Sequence, residues 1–136
     1  MFKLTLVTPE KRVVTDQEID EITLPAHAGE LNILPGHAPL MTTLGAGILK
    51  YKIHAKTEFA YAAISWGYCQ VSAEGVNVLA ETIETAEEID LNKCLEHQKT
   101  DEARLANEIL SDEEFNKVQG DLARVRAAIE LVRSKH

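Results

Sequence analysis

The sequence predicts an α+β fold, in which an N-terminal β-sandwich of about nine or ten short strands precedes a C-terminal antiparallel two-helix hairpin. Three observations predict this fold. First, up to about residue 85, short alternating apolar and polar runs are separated by turns that contain glycine or proline. Second, the sequence beyond that point has no proline and only one glycine, Gly120. Third, apolar residues there recur at helical spacing. We therefore expect a sandwich over residues 1–86 and a hairpin over residues 87–136.

The strands are predicted from period-two alternation. We expect nine of them, over residues 2–7, 13–15, 18–24, 31–33, 40–44, 48–53, 59–63, 68–71 and 76–80. In the third strand Ile19 and Ile22 lie three residues apart, which predicts a β-bulge. Residues 34–37 predict a tight turn, because Pro35 fixes φ at about −65° and Gly36 readily adopts positive φ.

Two helices are expected, over residues 89–110 and 112–134, each after a capping-box pattern. The capping pairs are Thr85 with Glu88 and Ser111 with Glu114. Helix two has a single narrow apolar seam, spaced 3, 4, 3, 4, 3, which is typical of a coiled coil. The seam residues are Phe115, Val118, Leu122, Val125, Ile129 and Val132. Isolated helices of this length are marginal in water, so the hairpin must lie on the sandwich, insert into a partner or alternate, and we expect its docking to be weak.

Composition excludes several classes of function. The net charge of −8 and the small aromatic fraction argue against nucleic-acid binding. No apolar run approaches the roughly 20 residues of a membrane span, and no signal peptide is evident, so membrane association must come through a partner. Cys69 and Cys94 are expected to be buried, reduced thiols.

No catalytic motif is present, since the sequence lacks a Walker A loop, an H-E-x-x-H helix and a nucleophile elbow. His27 and His37 are ten residues apart across a turn, and exposed loop histidines explain them better than a metal site does. We therefore expect a protein that is not an enzyme by itself and that has no metal site.

One stretch carries a family resemblance. Residues 29–31, Gly-Glu-Leu, and residues 33–40, Ile-Leu-Pro-Gly-His-Ala-Pro-Leu, resemble the signature of the epsilon subunit of F-type ATP synthases. Further segments resemble the same family in the same order, at residues 7–10, 45–49, 64–68, 76–80 and 87–90. Two positions depart from it: Asn32 and Trp66 each stand where many members have glycine.

The resemblance implies a non-catalytic rotor subunit in the central stalk of a proton-translocating ATP synthase. The sandwich would join the gamma subunit to the c-ring, with Glu30 at the polar loops of the c-ring and His37 near gamma. The hairpin would rise along gamma toward the catalytic beta and alpha subunits and inhibit ATP hydrolysis. The implied location is the cytoplasmic face of a bacterial inner membrane, or alternatively the stromal face of the thylakoid, reached only through the complex.

Two interpretations of the positive charge on helix two stay open. The charge either forms a solvated face with weak ion pairs or binds an acidic partner surface. The residues concerned are Arg124, Arg126, Arg133 and Lys135. In the family that the chain resembles, the opposing catalytic subunit has an acidic segment, so we expect these side chains to point outward and act as an electrostatic brake.

ATP is a candidate weak regulatory ligand. Residues 89–94 resemble a nucleotide motif on the hairpin of some epsilon subunits, in which Lys93 replaces an arginine and Cys94 an alanine. The candidate ATP contacts are Glu84, Asp90, Lys93 and Arg126. Glu130 stands at a second arginine position, where a carboxylate repels phosphate, so ATP should bind weakly or not at all. Asp90 is otherwise an acid at a helix N-terminus.

Two further functions are alternatives. A generic β-sandwich adaptor with a dimerising coiled-coil tail would form a stable homodimer. A nucleotide sensor would close its hairpin on millimolar ATP, which calorimetry would detect.

Overall fold

The computed structural model describes residues 2–26 and 29–134, which form nine strands and two helices. The strands are β1 Phe2–Val7, β2 Arg12–Ala26, β3 Gly29–Ile33, β4 Leu40–Leu44, β5 Gly47–Ile53, β6 Phe59–Ile64, β7 Gly67–Val71, β8 Gly75–Ala80 and β9 Ile83–Glu84. The helices are α1 Leu91–Asn107 and α2 Asp112–Ser134. The predicted fold class, a β-sandwich followed by two packed helices, is confirmed.

The long strand β2 connects the two halves of the sandwich. The strand order is β1-β8-β7-β4-β2-β5-β6-β9, and β2 also pairs with β1 and β3. Strands β1 and β8 run parallel, whereas the other pairs are antiparallel. The sandwich thus wraps around β2 and buries apolar side chains from most of its strands. The most deeply buried include Leu4, Leu6, Ile19, Ile22, Leu24, Ile33, Leu49, Ile64, Val76 and Val78.

Strand β2 corrects one sequence-based boundary, because the strands expected at residues 13–15 and 18–24 are one strand. The register against β1 shifts between Leu4 and Leu6, opposite Asp16, which has a φ of +48°. The Asp16 amide donates to Thr5 Oγ1 over 3.2 Å. Aspartate tolerates this left-handed conformation, so the chain bends without ending the strand. The bulge predicted from Ile19 is confirmed by a register shift just after that residue.

The start of α1 also differs from the prediction. The capping-box bonds form, with the Thr85 hydroxyl and amide donating to Glu88 Oε1 over 2.9 and 3.2 Å, but they close a turn. The helix starts later, where Asp90 Oδ1 accepts from the Lys93 amide over 3.2 Å. It ends at Asn107, before residue 110, because Glu108 is extended. The second capping box does start α2, since Ser111 Oγ accepts from the Glu114 amide.

Helix α2 buries two faces, whereas the sequence predicted one narrow seam. The seam residues Val118, Leu122, Val125 and Ile129 are buried, and α2 packs along α1. A second face, Ala127, Ala128 and Leu131, forms a buried cluster with Ala63 of β6. Helix α2 therefore packs on strands β5 and β6 as well as on α1. Of the three arrangements open to the hairpin, the structure shows the one in which it lies on the sandwich.

Gly120→Ala should stabilise α2. A Cβ at this exposed helical position would meet no atom within 4 Å, and alanine is favoured over glycine in a helix interior by about 1 kcal/mol. We expect a higher urea midpoint for loss of the helical circular-dichroism signal. Gly75→Ala is the opposing control, because its Cβ would lie 2.2 Å from the Lys3 carbonyl oxygen. A lower midpoint for Gly120→Ala would contradict the helical geometry at this residue.

Candidate functional site

Glu30 lies near the start of β3, where the β2–β3 hairpin turns. It pairs with Pro25 of β2, and its side chain is exposed. Gly29 beside it has a φ of +125°, a conformation open mainly to glycine. His27, which the sequence places with His37 as a possible but disfavoured metal site, lies outside the described residues. The carboxylate of Glu30 is therefore presented to solvent at one end of the sandwich.

His37 closes the predicted tight turn. Its amide donates to the Leu34 carbonyl over 3.2 Å, and Gly36 has the expected positive φ, +85°. The ring Nδ1 lies 2.7 Å from the Ala38 carbonyl, which can only accept, so Nδ1 carries the proton. Leu34 in the same turn is 51% exposed.

An exposed apolar surface lies on neighbouring strands β4 and β7. Met41 of β4 and Tyr68 of β7 are 64% and 45% exposed, and Trp66, just before β7, is 65% exposed. Strand pairing places Tyr68 opposite Thr43, two residues from Met41 and thus on the same face. Large apolar side chains grouped in this way are typical of a surface that another protein covers. Strand β4, which carries Met41, follows the His37 turn in the chain.

Arg124 links α2 to the sandwich, which corrects the expectation that it points outward. Its guanidinium donates to Glu84 Oε1 of β9 over 3.2 Å and to Asp121 Oδ1 over 3.0 Å. Its side chain is only 25% exposed. A planar guanidinium can bind two carboxylates at once, so Arg124 holds the last strand and the second helix together. In the docked hairpin its charge is already paired.

Arg126 and Arg133 lie elsewhere on α2 and are exposed, as expected. They line a shallow groove with Gln98 of α1 and with Ile129 and Glu130 of α2. Lys135, the fourth basic residue considered, lies outside the described residues. Of the three basic residues that the structure describes, Arg126 and Arg133 are thus accessible in the docked hairpin.

The residues considered for ATP fall into two groups. Glu84 and Asp90 lie close enough to the Cys94 thiol for their charges to act on it, as does Arg124. Burial raises the pKa of that thiol, and the charge of Glu84 raises it further. Arg126 instead lines the groove, and the Lys93 amide is bonded to Asp90. The arginine beside Glu84 is therefore Arg124, and ATP binding stays a prediction.

A polar cluster that the sequence did not predict lies between the two helices. His97 and Asp101 of α1 and Asp121 of α2 have ligand atoms that all lie within 4.8 Å of one another. His97 Nε2 contacts Asp121 Oδ2 at 2.5 Å and lies 3.7 Å from Asp101 Oδ2. Asp101 is only 5% exposed, and its Oδ2 has no hydrogen-bond partner within the described part of the chain. We call these three residues the interhelical cluster.

Burial and charge both act on the carboxyls of the interhelical cluster. Burial raises the pKa of Asp101, and the neighbouring Asp121 carboxylate raises it further. Burial alone would also raise the pKa of Asp121, but contacts with Asp101 and Arg124 outweigh it and lower that pKa. Asp101 is buried although it is an acidic residue on a helix. Its spacing from Cys94, Gln98 and Leu105 puts it on the buried stripe of α1.

These features are those of a small subunit that binds partners in a larger assembly. A family model described as the ATP synthase delta/epsilon chain, β-sandwich domain, matches residues 1–86. The epsilon chain of Bdellovibrio bacteriovorus is 54% identical over 129 residues, 95% of this chain and 92% of that protein. Epsilon chain 2 of Syntrophotalea carbinolica is 38% identical over 130 residues, 96% of this chain and 92% of that one. The chain belongs to the ATP synthase epsilon-chain family, as the bacterial type, which confirms the resemblance and the prediction of a non-catalytic subunit.

Solved structures show the same fold. A chain of the Euglena gracilis mitochondrial ATP synthase, in an OSCP/F1/c-ring structure, aligns with a TM-score of 0.76 at 23% identity, covering 98% of this chain and 80% of that one. A chain of the Tetrahymena thermophila mitochondrial ATP synthase central stalk and c-ring aligns with a TM-score of 0.65 at 17% identity, covering 96% of each. Within the described residues, neither helix is long and apolar enough to cross a membrane.

Proposed function

We propose that this chain is the central-stalk epsilon subunit of a bacterial F-type ATP synthase, in which the sandwich joins gamma to the c-ring. The supporting observation is the 54% identity to a bacterial epsilon chain over 95% of the sequence, spanning both the sandwich and the helices. Its place is the cytoplasmic face of the inner membrane, which it reaches through the complex.

The sandwich offers two separate surfaces for this role. The first is the exposed end of the β2–β3 hairpin with Glu30, a fixed negative charge suited to the polar loops of the c-ring. The second is the His37 turn with the apolar surface of Met41, Trp66 and Tyr68, which suits the gamma subunit. Apolar area gives affinity, whereas an exposed carboxylate gives position and specificity. Two surfaces on one rigid sandwich allow a rotation of gamma to be transmitted to the ring.

Glu30→Lys should loosen the coupling without unfolding the protein. The side chain is exposed, so reversing its charge alters the surface and not the core. In epsilon-depleted membranes reconstituted with the variant, we expect ATP hydrolysis to continue while proton pumping per ATP falls. Glu58→Lys, an exposed glutamate in the loop between β5 and β6, is the matched control and should behave as wild type. Equal pumping by both variants would remove Glu30 from the contact.

The hairpin would regulate hydrolysis by leaving the sandwich and presenting its basic face to the catalytic subunits. Arg126 and Arg133 are accessible before this step, and Arg124 becomes available once its bonds to Glu84 and Asp121 break. Exposed ion pairs contribute about 0.2–1 kcal/mol each, so the first two together shift the equilibrium by about two- to thirtyfold. Arg126→Glu with Arg133→Glu should release ATP hydrolysis in the assembled enzyme. Lys117→Glu, an exposed lysine on the same helix, is the control, and equal inhibition by all three proteins would contradict the brake.

A further inference from the structure

We propose that the interhelical cluster of His97, Asp101 and Asp121 is a binding site for a divalent transition-metal ion of zinc type, which ties α1 to α2 in the docked hairpin. The site requires only the folded chain and goes beyond the role proposed above for the assembled enzyme. It concerns a ligand of the hairpin itself.

The geometry of the donors fits such an ion. His97 and Asp101 are four residues apart on α1, so they lie on one face one turn apart, and Asp121 faces them from α2. Zinc holds histidine nitrogen and carboxylate oxygen at about 2.0–2.2 Å, which places neighbouring donors of a tetrahedron about 3.4 Å apart. The 3.7 Å between His97 Nε2 and Asp101 Oδ2 is already close to that value. His97 Nε2 and Asp121 Oδ2 lie 2.5 Å apart, so these two donors would have to separate by about 1 Å to admit the ion.

The buried carboxylate is the second and independent indication. Asp101 Oδ2 has less than 1 Å² of accessible surface and no hydrogen-bond partner among the described residues, and it lies within the cluster. His97 Nε2, 3.7 Å away, is too far to donate a hydrogen bond to this oxygen, and the neighbouring Asp121 carboxylate repels it. A buried carboxylate oxygen without a hydrogen bond is costly, and a bound cation would satisfy it. His97 is 45% exposed in its side chain, which leaves a path for the ion and a coordination position for water.

The surrounding residues orient the donors and select the class of ion. Arg124 donates to Asp121 Oδ1, which leaves Oδ2 directed at His97, and ligating carboxylates are commonly held by such outer partners. Calcium and magnesium prefer sites made only of oxygen, whereas an imidazole with carboxylates suits zinc and its neighbours. Two carboxylates against one arginine leave the site with net negative charge.

Binding would stabilise the docked hairpin by linkage. The three donors converge only when α1 and α2 are packed, so the ion binds the closed hairpin in preference to the open one. At a metal concentration one hundred times the dissociation constant, the closed form would gain about a hundredfold in population. In the assembled enzyme, the metal would therefore oppose release of the hairpin.

The test is metal titration of the full chain in solution, after dialysis against a chelator. The chain would carry Cys94→Ser, since Cys94 is partly exposed and thiolate binds zinc. We expect one Zn²⁺ per chain by calorimetry and Co²⁺ visible absorption distinct from that of the hydrated ion. His97→Ala and Asp121→Asn should each weaken binding more than about tenfold. Mg²⁺ at the same concentration should not compete.

Two matched controls separate this site from surface charge and from other histidines. Glu96→Gln removes an exposed acid beside His97, and His54→Ala removes a histidine whose Nδ1 contacts Asp20 at 2.8 Å on the sandwich. Both should bind as wild type. The proposal is overturned if the parent chain gives no cobalt spectrum, if His97→Ala binds as tightly as the parent, if Glu96→Gln loses as much affinity, or if Mg²⁺ displaces Zn²⁺. Because the cobalt spectrum needs no ligand variant, a variant that fails to fold leaves the test intact.

Discussion

Ala128→Glu is expected to release the helical hairpin from the sandwich while the sandwich stays folded. Ala128 is fully buried among Ala63, Ala127 and Leu131, where α2 meets β6. A carboxylate there would have no partner, and an unpaired buried charge costs about 3–5 kcal/mol. Undocking removes that cost, because the strands retain their own core. The expected product is a folded sandwich with an open hairpin.

The alkylation rates of the two native cysteines distinguish an open hairpin from a docked one, so no further residue has to be introduced. Cys94 packs at the edge of the same cluster, so its alkylation rate should rise on the order of tenfold or more when the hairpin opens. Cys69 lies fully buried in the sandwich, where burial raises its pKa to about 11, and should stay unreactive. Ala123→Glu, an exposed alanine on the same helix, is the matched control. Unchanged reactivity of Cys94, or loss of protection at Cys69, would contradict separate opening of the hairpin.

Gly67→Ala should destabilise the sandwich more than a small substitution normally does. Gly67 of β7 pairs with Leu44 on one side and Ala80 on the other, so its strand is paired along both edges. A Cβ would lie 2.0 Å from the Leu79 carbonyl oxygen and 2.7 Å from the Ala80 Cα. Backbone atoms cannot rotate away as side chains can, so the strands must separate. We expect a loss of about 3 kcal/mol in the free energy of unfolding.

Urea unfolding of the whole chain measures this loss, and Gly45→Ala is its control. A Cβ at Gly45 would meet no atom within 4 Å, and the residue does not have positive φ. Trp66, at the position where the family often has a glycine, is 65% exposed. Of the two neighbouring positions 66 and 67, position 67 is the one at which a Cβ would meet backbone atoms. Equal midpoints for the two variants would show that β7 and β8 can separate at little cost.

Alternation along the sequence predicted most of the strands, because one face of a strand packs on the core and the other faces water. The exceptions are positions where hydrogen-bonded pairing between strands decides whether the chain forms a strand. Asp16 is polar and interrupts the alternation, yet the Thr5 hydroxyl accepts from its amide and the strand continues as β2. Strand β9 has two residues, Ile83 and Glu84, which is too short to show a period. Tertiary pairing creates both features, so no local pattern reveals them.

The helices were located correctly, but their functional surfaces were not. Thr85 and Glu88 form the expected bonds, yet Asp90 is the residue that caps α1. Ala127 and Ala128 carry a weak hydrophobic signal, so the face that docks on the sandwich was missed. The interhelical cluster depends on Asp101 of one helix meeting Asp121 of the other. Side chains from separate elements form these sites, and a single sequence does not indicate which elements meet.

The parallel pairing of β1 with β8 sets the order in which the chain can fold during synthesis. Lys3 lies opposite Gly75 and Val7 opposite Leu79, so the first strand waits for more than half of the polypeptide before it gains this neighbour. Contacts between such distant residues form slowly, because a long loop must close first. The helices follow the sandwich in the chain, and α2 packs on β5 and β6. We therefore expect the hairpin to assemble on a sandwich that has already formed.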